Sequence, residues 1–361
     1  MKKVGILTYH NTVNYGAMLQ AYALQSKITE LGFECEIINY HCKNIEEREN
    51  LVFPHFQVNL INYLKKIRAF YYAQKKKRSL FKFKSNMVFS KESYDRESIK
   101  NVVNIYDKII VGSDMVFELG INGGDMSYYL DFVPANKRYS FAACLGRKKI
   151  DDRYLKKCKN ELEKFQYLSV REVQTQKYLS TLLESKVYLD IDPTLLYDCS
   201  FWKKLEEIPS DNISNRYLLL YFVNESMPEF EMAKKIAIEN NYDIYIIMDK
   251  KRKVDGCKVI SYASVGEFLY YIHHASLVIT GSFHGMIFSM NYNTNFFYFS
   301  KNEKNTKLDN MAKLVKCTDR KLSLNNVPKI NHDFKHINEA IKKLRDESMN
   351  HLQMIIFDEK R

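Results

Sequence analysis

Three short stretches of the chain carry side chains that could do chemistry. Ser282-Phe283-His284-Gly285 follows an apolar run, Leu277-Val278-Ile279-Thr280, and Gly281. Histidine exchanges a proton readily near neutral pH, so His284 is a candidate general acid or base. Ser282 offers a hydroxyl, and Gly281 and Gly285 would let a ligand come close to the backbone. Gly112-Ser113-Asp114 ends a second apolar run, where Asp114 could orient or deprotonate a hydroxyl. Arg171 ends a third, and its planar fork suits a carboxylate or phosphate gripped through two oxygens. Each residue also has a plainer reading. His284 could cap or pack a helix start, Asp114 could form an Asx-turn or a helix cap, and Arg171 could pair with Glu172 or with an acid across domains.

Such groups need strands that end in tight turns and helices that begin there. Residues 277–299 read as strand, turn, helix and strand, with the helix over about 284–291. In a parallel sheet this turn lies at the carboxyl end of a strand and the amino end of a helix. Unpaired N–H groups and the helix dipole there favour an anionic ligand. The chain begins in the same way, with a strand at 3–8, a loop at 10–16 and the helical pattern Ala17, Leu19, Tyr22, Leu24, Ile28, Leu31. Gly32 stops that helix before a strand over 33–40. This βαβ unit lacks GxGxxG, so a dinucleotide fingerprint is absent. Strands follow at 108–111, 138–145, 167–170 and 187–192, with a helix at 152–165. A loop-like stretch over 198–216 separates them from a second series: strand 217–223, helix 228–240, strands 243–248 and 258–260, and helix 265–275. Segments 305–316 and 336–353 read as helices.

The predicted class is therefore α/β, with two facing Rossmann-like domains and an interdomain cleft. Residues 1–205 form the first domain, with a basic helical insertion over about 41–105. Residues 206–330 form the second, which carries the Ser282–Gly285 turn, and 331–361 form a helix that crosses back to the first. A chain of 361 residues is long for a single core and agrees with that division.

The formal net charge of +12 points to an anionic partner. No helix-turn-helix, zinc-finger or RNP signature accompanies it, so nucleic acid is not the partner expected. The charge is concentrated: residues 50–90 contain no acid, while Lys65, Lys66, Arg68, Lys75, Lys76, Lys77, Arg78, Lys82 and Lys84 lie among aromatic residues. Stretch 61–84 is either a solvated basic helix or linker, or a peripheral contact with an anionic membrane surface or a lipid-linked polyphosphate. Seven scattered cysteines without a CxxC pair fit free thiols in a reducing cytoplasm, and no metal-ligand cluster stands out. No apolar run has membrane-spanning length and no signal peptide is visible, so the expectation is a cytoplasmic protein, peripheral at the inner membrane face if the basic stretch docks there.

Taken in chain order, the motifs carry a family likeness. Asn14-Tyr15-Gly16-Ala17-Met18-Leu19-Gln20-Ala21-Tyr22, Gly112-Ser113-Asp114, Ser140-Phe141-Ala142-Ala143, Ser169-Val170-Arg171-Glu172, Asp192-Pro193-Thr194-Leu195-Leu196 and Ser282-Phe283-His284-Gly285 follow one another. With this order the chain resembles the polysaccharide pyruvyl transferase family, and Asn305-Thr306-Lys307-Leu308 with Asp319-Arg320 looks like its closing element. The resemblance implies a GT-B-like fold with the first domain on the acceptor side. It also implies phosphoenolpyruvate as donor and a sugar, free or lipid-linked, as acceptor in bacterial surface polysaccharide synthesis. Pyruvate would be carried onto two hydroxyls as a cyclic ketal, with release of phosphate and no cofactor or metal. On this likeness His284 and Asp114 are the catalytic candidates; Arg171, Ser282, Gly285, Asn14, Tyr15, Gly16, Ser113 and Lys307 are the substrate-binding ones. Met115, Phe117, Gly281 and Lys307 stand where the family often has Gln, Trp, an acid and Arg. A nucleotide-sugar glycosyltransferase on the same architecture and a non-catalytic glycan-binding protein are the competing readings.

Overall fold

Short β-branched and apolar runs become the strands, and the polar or glycine-bearing turns after them become helix starts. The computed structural model describes residues 2–56, 59–249, 253–300, 306–323 and 326–357. Its first strands are β1 (Lys3–Leu7), β2 (Glu34–Tyr40), β3 (Phe89–Tyr94), β4 (Lys108–Val111), β5 (Arg138–Ser140), β6 (Leu168–Val170) and β7 (Val187–Leu189). The later ones are β8 (Tyr217–Tyr221), β9 (Asp243–Met248), β10 (Lys258–Ser261), β11 (Leu277–Thr280) and β12 (Phe296–Tyr298). Helices α1 (Tyr15–Glu30), α2 (Lys43–Arg48), α3 (Leu60–Lys84), α4 (Leu119–Asn122), α5 (Leu155–Leu162) and α6 (Val173–Leu182) alternate with the first set. Helices α7 (Cys199–Lys203), α8 (Pro228–Asn240), α9 (Val265–His273), α10 (Phe283–Tyr292), α11 (Thr306–Leu314) and α12 (Lys335–Phe357) accompany the second.

Among the described residues, β3-β2-β1-β4-β5 form one parallel sheet. Single bridges from Tyr139 to Tyr167 and from Ala143 to Val170 extend it to the parallel pair β6-β7. The second parallel sheet has the order β10-β9-β8-β11-β12. In both, the strand order reverses beside the first strand of the unit, between β1 and β4 and between β8 and β11. Ligands of open α/β sheets bind at such a switch point, outside the carboxyl ends of the strands. Burial on both faces explains the largely apolar character of β4, β8 and β11, every residue of which is buried, Lys108 of β4 and Thr280 of β11 included.

The chain divides into two compact units: Met1–Ala73, Lys84–Leu196 and Lys343–Arg361 form one, and Gln74–Phe83 with Tyr197–Lys342 form the other. The division falls at residue 196, where the sequence suggested 205. A 3₁₀ turn, Pro193–Leu196, packs on α1 within the first unit, while the Tyr197 carbonyl accepts from Asn291 Nδ2 at 2.9 Å within the second. The region 41–105 also differs from a purely helical insertion, because β3 adds an edge strand to the first sheet. Part of α3 counts with the second unit, where Lys76 pairs with Asp249 at 2.7 Å and Lys82 with Glu207 at 2.8 Å. The end of α12 packs in the first unit. There Ser348 Oγ accepts from Ile191 N at 3.0 Å, Arg345 donates to the Leu195 carbonyl at 2.6 Å, and His351 Nδ1 lies 2.8 Å from Asp190.

Candidate active site

In the first unit the switch point is built from the ends of β1, β4, β6 and β7. Asn14 caps α1, its side chain accepting from the N–H groups of Gly16 at 2.9 Å and Ala17 at 3.4 Å. Asn14 is exposed, whereas Tyr15 and Gly16 are buried, which puts Tyr15 among the packing residues of α1. Gln20, one of two buried glutamines of α1 with Gln25, donates to Thr8 Oγ1 at 2.9 Å and accepts from Ser113 N at 2.8 Å. It therefore ties the end of β1 to the end of β4 across the switch point. Ser113 is fully buried, and its hydroxyl donates to the Ala142 carbonyl at 2.8 Å. Asp114 follows with φ 66°, a left-handed conformation that aspartate tolerates better than most residues.

Arg171 lies at the carboxyl end of β6 with its side chain only 3% exposed. One guanidinium nitrogen is 2.5 Å from Asp192 Oδ2 and 3.2 Å from Ser113 Oγ; the other is 3.2 Å from Asp114 Oδ1. Burial by itself would lower the Arg171 pKa, but Cys144, Asp192 and Asp114 raise it above the ordinary arginine range. The fork expected to grip a donor thus holds two carboxylates of its own unit, and neither is Glu172. Asp192 is fixed from the other side by Thr194, whose N–H and hydroxyl donate to Oδ1 at 3.1 and 2.7 Å. Asp114 is the outer member of this network, its side chain 13% exposed and its carboxylate oriented by Arg171. The network can hold an acid or base at a fixed angle. Sequence reasoning named Ser113, Asp114 and Arg171 but missed Gln20 and Asp192, although both lie inside quoted motifs. Their signal was a polar residue in a largely apolar stretch of helix and an acid directly after a strand.

In the second unit, Ser282 caps α10 and accepts from Gly285 N at 3.3 Å, while its own N–H donates to Thr280 Oγ1 at 3.0 Å. His284 therefore lies in the first turn of α10, at the carboxyl end of β11 and beside the β8/β11 switch point. It is 7% exposed, edge-on to Phe283 with ring centroids 5.5 Å apart. Gly285 has a packing reason of its own, because a Cβ there would lie 2.5 Å from Thr280 Oγ1 and 3.0 Å from the Tyr221 ring. A Cβ added at Gly281 would likewise lie 2.8 Å from the Phe299 ring. Burial, then Asp249, raise the Tyr221 phenol well above its usual range, with the Ser282 hydroxyl pulling the other way. Lys307 stands in the first turn of α11, which packs against α10. Asn305 lies outside the described residues. Arg320 is buried between the rings of Phe296 and Phe334, at 5.0 and 4.3 Å from their centroids, and donates to the carbonyls of Asn331 and Asp333. It is a structural cation of this unit.

These two α/β units, each with a parallel sheet that reverses at a switch point, define the Rossmann-like, GT-B-like fold class. Solved structures share that fold. The UDP-GlcNAc 2-epimerase of Neisseria meningitidis bound to UDP-GlcNAc is 9% identical with a TM-score of 0.53, covering 99% of this chain and 100% of its own. The S. aureus MnaA–UDP co-structure is 12% identical with a TM-score of 0.51, over 97% and 90%. The Methanocaldococcus jannaschii UDP-GlcNAc 2-epimerase with UDP-GlcNAc and UDP is 11% identical with a TM-score of 0.50, over 99% and 100%. At such identities the likeness is one of fold. The family model for polysaccharide pyruvyl transferase matches residues 14–302, and the chain belongs to that family. None of the curated protein sequences compared matches it. Among the described residues, no helix is long and apolar enough to cross a membrane.

Proposed function

We propose that this transferase moves pyruvate from phosphoenolpyruvate onto two hydroxyls of a sugar as a ketal, in the synthesis of a bacterial surface polysaccharide. The observation that carries this reading is His284 in the first turn of α10, within the span matched by the family model. A helix amino terminus favours the phosphate or carboxylate of such a donor, and an imidazole there can give a proton to its methylene carbon. Protonation makes the adjacent carbon electrophilic and the first sugar hydroxyl adds to it, giving up its proton; Asp114 is the proposed acceptor of that proton. The second hydroxyl then replaces the phosphate, which leaves with the second proton. Ser282, Gly285 and Lys307 in the second unit, and Asn14, Tyr15, Gly16 and Ser113 in the first, are the proposed binding residues. Tyr15 and Ser113, being buried, would act by shaping their loops. Arg171 would act through Asp114. The proposed acceptor is a lipid-linked sugar, with the basic stretch 61–84 as membrane contact and a cytoplasmic location.

A nucleotide-sugar donor is the second reading, favoured by the UDP-sugar-bound structures that share the fold. Millimolar phosphoenolpyruvate should raise the Tm, because it binds the native state alone. His284→Gln should keep that shift and lower turnover at least about a hundredfold, the scale for losing a general acid or base. A Tm shift with UDP-sugars and none with phosphoenolpyruvate would replace this reading with the glycosyltransferase one.

A further inference from the structure

Away from the Ser282–Gly285 turn, the second unit brings together three side chains that no sequence motif links. His273 is the last residue of α9, His274 is its C-cap, and Glu206 lies just beyond α7. His273 Nδ1 is 3.0 Å from Glu206 Oε1, and His274 Nε2 is 3.4 Å from Glu206 Oε2. One ligand atom from each residue lies within 4.8 Å of the other two. Neighbouring residues on a helix normally point apart, but here one ring presents Nδ1 and the other Nε2 to the same carboxylate. From these residues we propose that Glu206, His273 and His274 form a zinc site, with water in a fourth position.

Several features of the cluster suit a metal better than a plain ion pair. Zinc with bonds of about 2.0 to 2.1 Å holds tetrahedral ligand atoms about 3.3 Å apart, close to the carboxylate-to-imidazole separations here. Glu206 Oε2 alone meets both rings, 3.2 Å from His273 Nδ1 and 3.4 Å from His274 Nε2. Tyr292 is 8% exposed and lies beside the cluster. Both imidazoles are clamped flat. His273 stacks on Tyr292 at 4.5 Å and His274 on Tyr270 at 4.1 Å, which fixes ring orientation as outer-shell partners of metal ligands do. His274 is 44% exposed, so the fourth position opens to solvent.

The place of the cluster gives the site its role. Tyr292 ends α10 and His284 begins it, eight residues or about 12 Å apart along the helix axis. Zinc there would staple the end of α9 and the segment after α7 beside the far end of the helix that carries His284. It would be a structural or regulatory site, separate from the proposed transfer chemistry.

The test is zinc binding by full-length protein stripped with a chelator and dialysed, measured as bound metal per chain and as Tm, with Co²⁺ as the spectroscopic substitute. The expected result is one zinc per chain, a higher Tm, and the strong visible bands of four-coordinate cobalt. His274→Ala, at an exposed position that should not impair folding, and Glu206→Gln should each weaken binding at least about tenfold. No bound zinc at micromolar concentration would overturn the proposal and leave an ion pair between Glu206 and its histidines. Equal binding by wild type and His274→Ala would overturn it too, since the metal would then lie elsewhere. Phosphoenolpyruvate plays no part in these readouts, so failure of either reading leaves the other intact.

Discussion

Between Asp192 at 2.5 Å and Asp114 at 3.2 Å, the buried Arg171 guanidinium makes hydrogen bonds that lysine cannot reproduce. Lysine keeps the charge but reaches the two carboxylates from a single nitrogen, without the planar fork. Arg171→Lys should therefore destabilise the protein by roughly 1.5 to 3 kcal/mol, the scale of one charge-assisted hydrogen bond, as read by urea denaturation. Unchanged stability with a loss in kcat/KM for the donor would instead put the guanidinium on the donor. His10 supports a second expectation. It is buried at the end of the β1 loop, with Nδ1 3.3 Å from the Thr8 carbonyl and Nε2 3.2 Å from the Asn39 side chain. Burial, then Lys84, lower its pKa from 6.5 to about 4. A histidine held neutral in the fold stabilises it fully above pH 6.5, and that contribution is lost as pH falls toward 4, because the unfolded chain takes the proton first. The loss should be about 3 kcal/mol larger for wild type than for His10→Gln, measured by denaturation between pH 7 and 4. At this scale the sequence showed which residues had chemistry but not their partners. Arg171 meets acids 21 and 57 positions away, and Glu206 meets a histidine 67 positions away; only folding reveals such pairs.

Helix α3 shows how an element divides a run of like charges. Lys76 is buried against Asp249, and Lys82 pairs with Glu207, so those cations serve the second unit. Lys65, Lys66 and Arg68 remain exposed, alongside Leu60, Ile61, Leu64 and Tyr71. If this part of α3 docks on an anionic membrane, each cation near the surface contributes about 1 kcal/mol and salt weakens the attraction. Replacing Lys65, Lys66 and Arg68 together by Gln should then abolish sedimentation with phosphatidylserine vesicles at low salt. Sedimentation of that variant equal to wild type, or unaffected by vesicle charge, would remove α3 as an electrostatic anchor. Element type was legible where periodicity and caps agreed. The pattern from Ala17 to Leu31 became α1, and Ser282 caps α10 where the turn was expected. Strand β3 was missed because Phe89–Tyr94 carries Lys91 and Glu92 on an edge strand, where polar residues are tolerated and apolar alternation is lost.

For the molecule as a whole, two parallel sheets with the same order of reversal place polar turns where such folds bind ligands. That architecture was readable from the repeated strand–turn–helix sequence, since both halves obey the same crossover rule. Family membership was readable from the order of six short motifs, none of them telling alone. What stayed hidden was the division of labour inside the motifs: Gly285 answers to Thr280 and Tyr221, and Ser113 to Ala142, through side-chain packing that spacing does not encode. The central claim is transfer of pyruvate to a sugar. Its most direct test is incubation of the protein with phosphoenolpyruvate and a panel of lipid-linked sugars, read by mass spectrometry with phosphate release followed in parallel. The account predicts an acceptor heavier by one pyruvate less one water, with one phosphate released per product and neither seen with His284→Gln. An acceptor that gains a sugar residue from a nucleotide-sugar donor, and nothing from phosphoenolpyruvate, would contradict it.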